Sequence, residues 1–303
     1  MEKKRITLQI INKQKVIPIK FPDADKKIKG FDICSEVYAN IALIAKKKSG
    51  KTMALNHIVK ECIGKGTKEV FIFATTLYKD RCWKEIRSWL DKKKIAFQGF
   101  TSINQDGVNQ IETLIERLNL EAEDEENETV DEAEGAPVGD QCDNLLELMK
   151  QHNNDIGKFL QNQNVCTTTK KKKKDKYLCP EYFIILDDIG NQLKNPALTT
   201  LLNWNRHYKA KVIISTQYLN HLLPDSRKML DLWLLFKGHP VSKLEEIYAD
   251  CDSSIPLDLF VKLYHKATKH KYSFFYYDTA ANEYRRNFSE RFQLPEDQED
   301  EEI

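Results

Sequence analysis

The octapeptide Ala45-Lys46-Lys47-Lys48-Ser49-Gly50-Lys51-Thr52 constrains this chain more than any other stretch, because of what flanks it. Before it runs Ile41-Ala42-Leu43-Ile44, apolar throughout; after it comes Met53-Ala54-Leu55-Asn56-His57-Ile58-Val59, apolar at helical spacing. A buried strand, a glycine-bearing loop and a helix in direct succession form the context of a phosphate-binding loop. Such a loop turns successive backbone N–H groups onto a polyanion, and the following helix adds the positive end of its dipole. Gly50 permits close approach, Lys51 is suited to the β- and γ-phosphates, and the Thr52 hydroxyl to Mg²⁺. The usual pattern opens on Gly, and this chain has Ala45. A methyl group is tolerated there where φ is negative. Alone, the octapeptide also admits a lysine-rich turn before an ordinary helix.

A second stretch supplies what that loop needs. Phe183-Ile184-Ile185-Leu186-Asp187-Asp188 reads as a central strand with two carboxylates at its C-terminal tip, where open α/β sheets place their ligands. Asp187 suits the Mg²⁺ hydration shell, which leaves Asp188 to act as general base on the attacking water. By itself the stretch also fits a strand that ends in an ordinary Asp-Asp-Ile-Gly turn. A third run, Lys211-Val212-Ile213-Ile214-Ser215-Thr216-Gln217, is another buried strand, ending in hydroxyl and amide groups. It is expected between the other two, with Gln217 sensing the γ-phosphate or orienting water. Together the three runs imply a nucleoside triphosphatase.

The 303 residues suffice for one α/β domain with a full core. Seven cysteines without a Cys-x-x-Cys pair suggest neither zinc nor a disulfide framework, and point to a reducing compartment. No run approaches the length of a membrane span, and the start lacks a secretory apolar core, so a soluble protein is expected. The net charge of +1 conceals segregation: residues 121–134 hold nine acids and no base, and residues 296–303 six acids and no base. Without these, 47 bases face 31 acids. That excess suits a protein gripping a polyanion; a Lys/Glu-rich coding style explains it equally.

Residues 1–35 read as a small β-structured lead-in, 36–100 and 181–292 as the P-loop domain, 101–180 as a partly disordered insertion, and 293–303 as a disordered acidic tail. Within the domain we expect a strand over Lys68–Thr76 and a helix over Asp80–Leu90 with Trp83, Ile86, Trp89 and Leu90 on one side. Further helices are expected over Pro196–Tyr208, around Leu219–Leu230, and near 241–251 and 256–267, with strands over Leu232–Phe236 and, last, Tyr272–Tyr277. The insertion should hold a helix over Asn144–Leu160. Its lysine run, Lys170 to Lys176, fits a nuclear import signal, a phosphate-gripping tether or a solvated linker. The alternation of strand and helix predicts a mainly parallel sheet with helices on both faces.

The ordered series Ser49-Gly50-Lys51-Thr52, Thr76 to Asp80 with Trp83, Ile185-Leu186-Asp187-Asp188, Asn205-Arg206-His207-Tyr208, Ile214-Ser215-Thr216-Gln217-Tyr218-Leu219, and Arg227 before Trp233-Leu234-Leu235 resembles the genome-packaging ATPases of the FtsK/HerA superfamily. The branch it resembles is the poxvirus-type one, found also in virophages and Maverick/Polinton elements, and the likeness covers residues 38–80 and 181–290. Ala45 and the long insertion depart from the pattern. The resemblance implies a RecA-like ASCE P-loop fold, ATP and Mg²⁺ as cofactors, and a homo-oligomeric ring of five or six subunits. It implies double-stranded DNA and capsid or packaging-vertex proteins as partners. Such a protein works in the host cell during virion assembly, in a viral factory, the cytoplasm or the nucleus, or in the virion. It also implies an arginine offered from a neighbouring subunit, with Arg206 and Arg227 the candidates; a DNA-facing or salt-bridging role is open for both. The competing functions are a replication helicase or other DNA-dependent P-loop ATPase, and a non-hydrolysing tether between DNA and capsid.

Overall fold

The computed structural model describes residues 26–134 and 177–294, the side chains of 125–134 excepted. The lead-in before residue 26, the helix expected over Asn144–Leu160, the lysine run and the tail beyond Leu294 lie outside the described residues. Strands in chain order are β1 (Lys27–Ile28), β2 (Asn40–Ile44), β3 (Glu69–Ala74), β4 (Ala96–Phe100), β5 (Asn104–Gln105), β6 (Val108–Asn109), β7 (Tyr177–Leu178), β8 (Tyr182–Asp187), β9 (Ala210–Thr216), β10 (Leu232–Phe236), β11 (Phe274–Asp278), β12 (Glu283–Arg286) and β13 (Glu290–Arg291). Helices are α1 (Lys51–Cys62), α2 (Arg81–Lys93), α3 (Gln110–Glu134), α4 (Pro196–Trp204), α5 (Pro224–Lys228), α6 (Val241–Cys251) and α7 (Leu257–Ala267).

Nine strands form one sheet in the order β13-β12-β11-β10-β2-β9-β8-β3-β4. From β10 to β4 every pairing is parallel, while β11, β12 and β13 continue it antiparallel. The parallel strands are apolar on both faces, since helices cover both. Ile41 and Leu43 of β2 face a layer containing Leu55, Ile58 and Val59 of α1 and Trp83, Ile86 and Leu90 of α2. Ala42 and Ile44 face the other layer, with Leu198, Leu201 and Leu202 of α4, Leu244 and Ile247 of α6, and Phe260 and Tyr264 of α7. Each fully buried aliphatic or Phe side chain contributes about 1.5–3 kcal/mol relative to exposure.

Helix α2 starts where Asp80 accepts a hydrogen bond from the Cys82 N–H at 2.8 Å, and ends on Lys94 in the left-handed conformation, φ 58°. Trp83, Ile86 and Leu90 are fully buried, whereas Trp89 is only half-buried at the rim, with the Lys93 ammonium 5.8 Å from its ring centroid. No helix among the described residues is long and apolar enough to cross a membrane.

Three expectations need correction. The strand near residues 272–277 is not the last, because β12 and β13 follow it in a meander. Helix α4 stops at Trp204 rather than Tyr208, and the region 219–230 is a 3₁₀ turn (Leu219–His221) followed by the short α5. The beginning of the stretch read as an insertion is built into the core: Ile111, Leu114 and Leu118 of α3 are buried against the sheet. Arg117 pairs with Glu69 of β3 at 2.6 Å and with Glu121 at 2.7 Å, and the Tyr182 hydroxyl donates to Glu121.

Candidate active site

The strand order puts β9 between β2 and β8, as the sequence predicts, and the register aligns their tips. Ser215 lies level with Leu43 on one side and Asp187 on the other, so the chain leaves β2 into the octapeptide directly beside the two carboxylates. Ala45 is fully buried, outside the left-handed backbone region, and its N–H donates to the Thr216 carbonyl at 2.9 Å. Here a Cβ costs nothing. The loop then turns through Lys48 (φ 61°) and Gly50 (φ 95°) into α1. Among the described residues, no hydrogen bond engages the backbone N–H groups of Lys46 to Thr52. They are free to receive an anion.

Lys51 is the centre of the site. Its Nζ lies 3.5 Å from Asp187 Oδ1 and 3.3 Å from Asp188 Oδ1. The Gln217 amide donates to Asp188 Oδ1 at 3.0 Å and Oδ2 at 3.3 Å. Asp188 sits at φ 52°, its N–H donating to the Ser215 carbonyl at 3.0 Å. The two carboxylates have opposite titration behaviour. Burial pushes the Asp187 pKa up, against the pull of the Lys51 ammonium. Burial also opposes the Asp188 charge, but the Gln217 amide and Lys51 together outweigh it and lower its pKa. One acid is desolvated and the other is held ionised at the solvent edge, the separation of roles that acid–base chemistry uses.

The pocket fits a magnesium-bound triphosphate. Ser49 Oγ is buried with no hydrogen-bond partner, and Lys51 Nζ and Asp187 Oδ1 are buried with only long ion-pair contacts between them, an under-satisfied set that a bound polyanion and its cation would complete. Thr52 and Asp187 offer a hydroxyl and a carboxylate, oxygen donors that suit Mg²⁺.

The two candidate arginines stand elsewhere. Arg206 is exposed and precedes β9, so the seven residues of that strand, about 20 Å, separate it from the carboxylate tip. Its charge is felt instead by the half-buried Asp231 just before β10. Arg227 is engaged within the chain: Nε donates to the Leu222 carbonyl at 3.1 Å, and the guanidinium pairs with Asp250 at 3.4 Å. His207 is exposed, its ring 5.2 Å from that of Trp204. Sequence reasoning missed His239, whose Nε2 meets the Ile44 carbonyl at 3.1 Å and whose N–H donates to the Tyr264 hydroxyl at 3.0 Å, bracing the strand end below the loop. The Gly238-His239-Pro240 break after an apolar run was its signal.

Residues 143–247, which include β8, β9 and both arginines, match the family model described as Poxvirus A32 protein. Over this stretch the chain is similar to the poxvirus A32 family. The family resemblance read from the sequence stands with it, and the A32-type region contributes Asp187, Asp188 and Gln217 to the site while the P-loop precedes it. No curated protein matches the chain. Among solved structures, the genome packaging NTPase B204 from Sulfolobus turreted icosahedral virus 2, in complex with AMPPCP, is similar at 15% identity and a TM-score of 0.47, covering 83% of this chain and 98% of that one. The DNA-packaging ATPase B204 from Sulfolobus turreted icosahedral virus is similar at 16% identity and 0.44, covering 82% and 96%. EssC (ATPases 2 and 3) from Geobacillus thermodenitrificans is similar at 12% and 0.37, covering 69% and 34%.

Proposed function

We propose that this chain hydrolyses ATP to drive double-stranded DNA into a capsid, working as a homo-oligomeric ring of five or six subunits during virion assembly in the host cell. The observation that carries the reading is the Lys51 ammonium set between Asp187 and Asp188, with Gln217 fixed on the second. The loop N–H groups and Lys51 bind the β- and γ-phosphates, replacing carboxylate contacts with phosphate ones. Mg²⁺, held by Thr52 and Asp187, supplies charge neutralisation on the polyphosphate. Asp188, released from Lys51 as that ammonium turns to phosphate, accepts a proton from water. The water oxygen bonds to the γ-phosphorus, the bond to the β–γ bridging oxygen breaks, and ADP leaves with that electron pair. Gln217 orients the water through its contact with Asp188. An arginine from a neighbouring subunit, Arg206 in preference to Arg227, stabilises the transferred charge, an effect of roughly 10³–10⁵ in rate. Arg206 is preferred because its guanidinium is exposed, whereas Arg227 is already paired with Asp250. Capsid or packaging-vertex proteins complete the assembly, in a viral factory, the cytoplasm or the nucleus.

Phosphate release measured with and without duplex DNA tests the proposal. DNA-stimulated release in the wild type and its loss in a folded Lys51→Ala variant are expected. Equal turnover in the two would overturn it, and duplex unwinding in a strand-displacement assay would favour a helicase.

A further inference from the structure

The carboxylates flank the P-loop on its β9–β8 side. On its other side, toward β10 and β11, a cavity of about 710 Å³ opens against Gly50 and is lined by Met53, His57, Tyr272, Phe274 and Phe288 among others. A triphosphate with its γ end at Lys51, Asp188 and Gln217 would run along the loop toward this opposite flank. The volume lies in the range of small-ligand pockets, about 300–1,000 Å³, and the walls are mostly apolar.

Two residues there are out of keeping with ordinary packing. Met53 and Tyr272 leave 61% and 56% of their surfaces exposed at the cavity, large apolar groups held open to solvent. Tyr272 also has a left-handed backbone, φ 68°, a strained conformation for a bulky side chain that persists where function requires it. Its ring edge lies so near Gly50 that a Cβ on the glycine would sit 3.3 Å from Tyr272 Cδ1. The Lys271 ammonium lies 4.8 Å from the ring centroid, and Lys271 itself does not line the cavity.

We propose that this cavity is the nucleobase site, with Tyr272 the stacking platform and Met53 and Phe288 closing around the base. The inference rests on the ATPase reading above. The wall offers apolar and aromatic contact, with Lys48 and His57 its charged or titratable side chains, so recognition comes from stacking, which every base permits, rather than from a fixed hydrogen-bond pattern. GTP is therefore accepted within about tenfold of ATP.

Equilibrium binding of ATP, GTP and inorganic tripolyphosphate to the full chain, with Mg²⁺, tests this in the wild type, Tyr272→Ala and Tyr272→Phe. Tyr272 is exposed, so neither substitution removes a core residue. Tyr272→Ala is expected to weaken ATP about tenfold or more while leaving tripolyphosphate unchanged, and Tyr272→Phe to retain wild-type affinity. Unchanged ATP affinity in Tyr272→Ala, equal weakening of both ligands, or a thousandfold preference for ATP over GTP overturns the base site alone. A wild-type chain that binds neither ATP nor tripolyphosphate overturns the ATPase reading as well.

Discussion

The Gln217 amide donates to both oxygens of the Asp188 carboxylate, at 3.0 and 3.3 Å, joining the tips of two neighbouring strands. This contact helps keep Asp188 ionised against the cost of its partial burial. Removing the amide in Gln217→Ala raises the Asp188 pKa from its depressed folded value. On the proposed reading Asp188 acts as base only when ionised, so the acid limb of the pH–rate profile for phosphate release is expected to move to higher pH. The plateau rate falls on the order of 10²-fold. A profile unmoved along the pH axis would show that Gln217 does not act through Asp188.

Lys51→Ala removes the ammonium that meets both carboxylates. Turnover is expected to fall by at least about 10²-fold. Far-UV circular dichroism should be unchanged, since the strands flanking the loop are buried independently of that side chain.

Asp187 carries the opposite pH signature. Its folded pKa is raised by burial, so its favourable contribution to folding is fully present below the unfolded-state value near 3.9 and is lost as pH rises through the folded value. Asp187→Asn removes the carboxyl whose charged form burial disfavours in the nucleotide-free wild type. The variant should melt higher at pH 7, by ~2–4 °C for each kcal/mol released, with the gap closing toward acid pH. Its ATP turnover should be lost, a trade of activity for stability. Calorimetry at several pH values measures this directly.

Ala45→Gly restores the usual first glycine and should gain nothing. The position is buried in the core and outside the left-handed region, so the change adds unfolded-state entropy and deletes a packed methyl group. A stability loss of about 0.5–1 kcal/mol in urea titrations and no rise in turnover are expected.

Arg206→Ala should lower turnover without lowering the melting temperature, because the side chain is exposed. Mixing Arg206→Ala with Lys51→Ala subunits should recover part of the activity if the arginine serves a neighbour, since some interfaces then combine an intact loop with an intact arginine. No recovery in such mixtures would assign Arg206 a role within its own subunit.

The central sheet and the carboxylate tips were legible because their signals are local. Short, β-branched, uninterrupted apolar runs alternating with helical patterns read as strands covered on both faces, and Asp187, Asp188 and Gln217 end such runs. The edges were harder. Strand β4, Ala96–Phe100, contains Gln98 and Gly99 and is only partly buried, so it carries little periodicity. Helix α3 was obscured by the acidic run that starts at Glu121, about a turn after the last of its core-facing residues, Ile111, Leu114 and Leu118. Strands β12 and β13 are short and rich in charge, and exist through pairing with β11 rather than through their own sequence. Tyr272 reads as the first residue of the last aromatic strand, whereas β11 begins at Phe274, and the place of Tyr272 beside Gly50 is purely tertiary.

The placement of Arg206 before the first residue of β9, and of the carboxylates at the far end of the adjacent strand, gives each subunit a polarity. Should the arginine of one copy reach the triphosphate of the next, unlike surfaces must meet. Contacts of that heterologous kind have no two-fold axis, so a pair of copies leaves one surface of each sort unmatched. Succession continues until rotation brings the last copy back to the first, and a symmetric dimer would be an idle form of this chain.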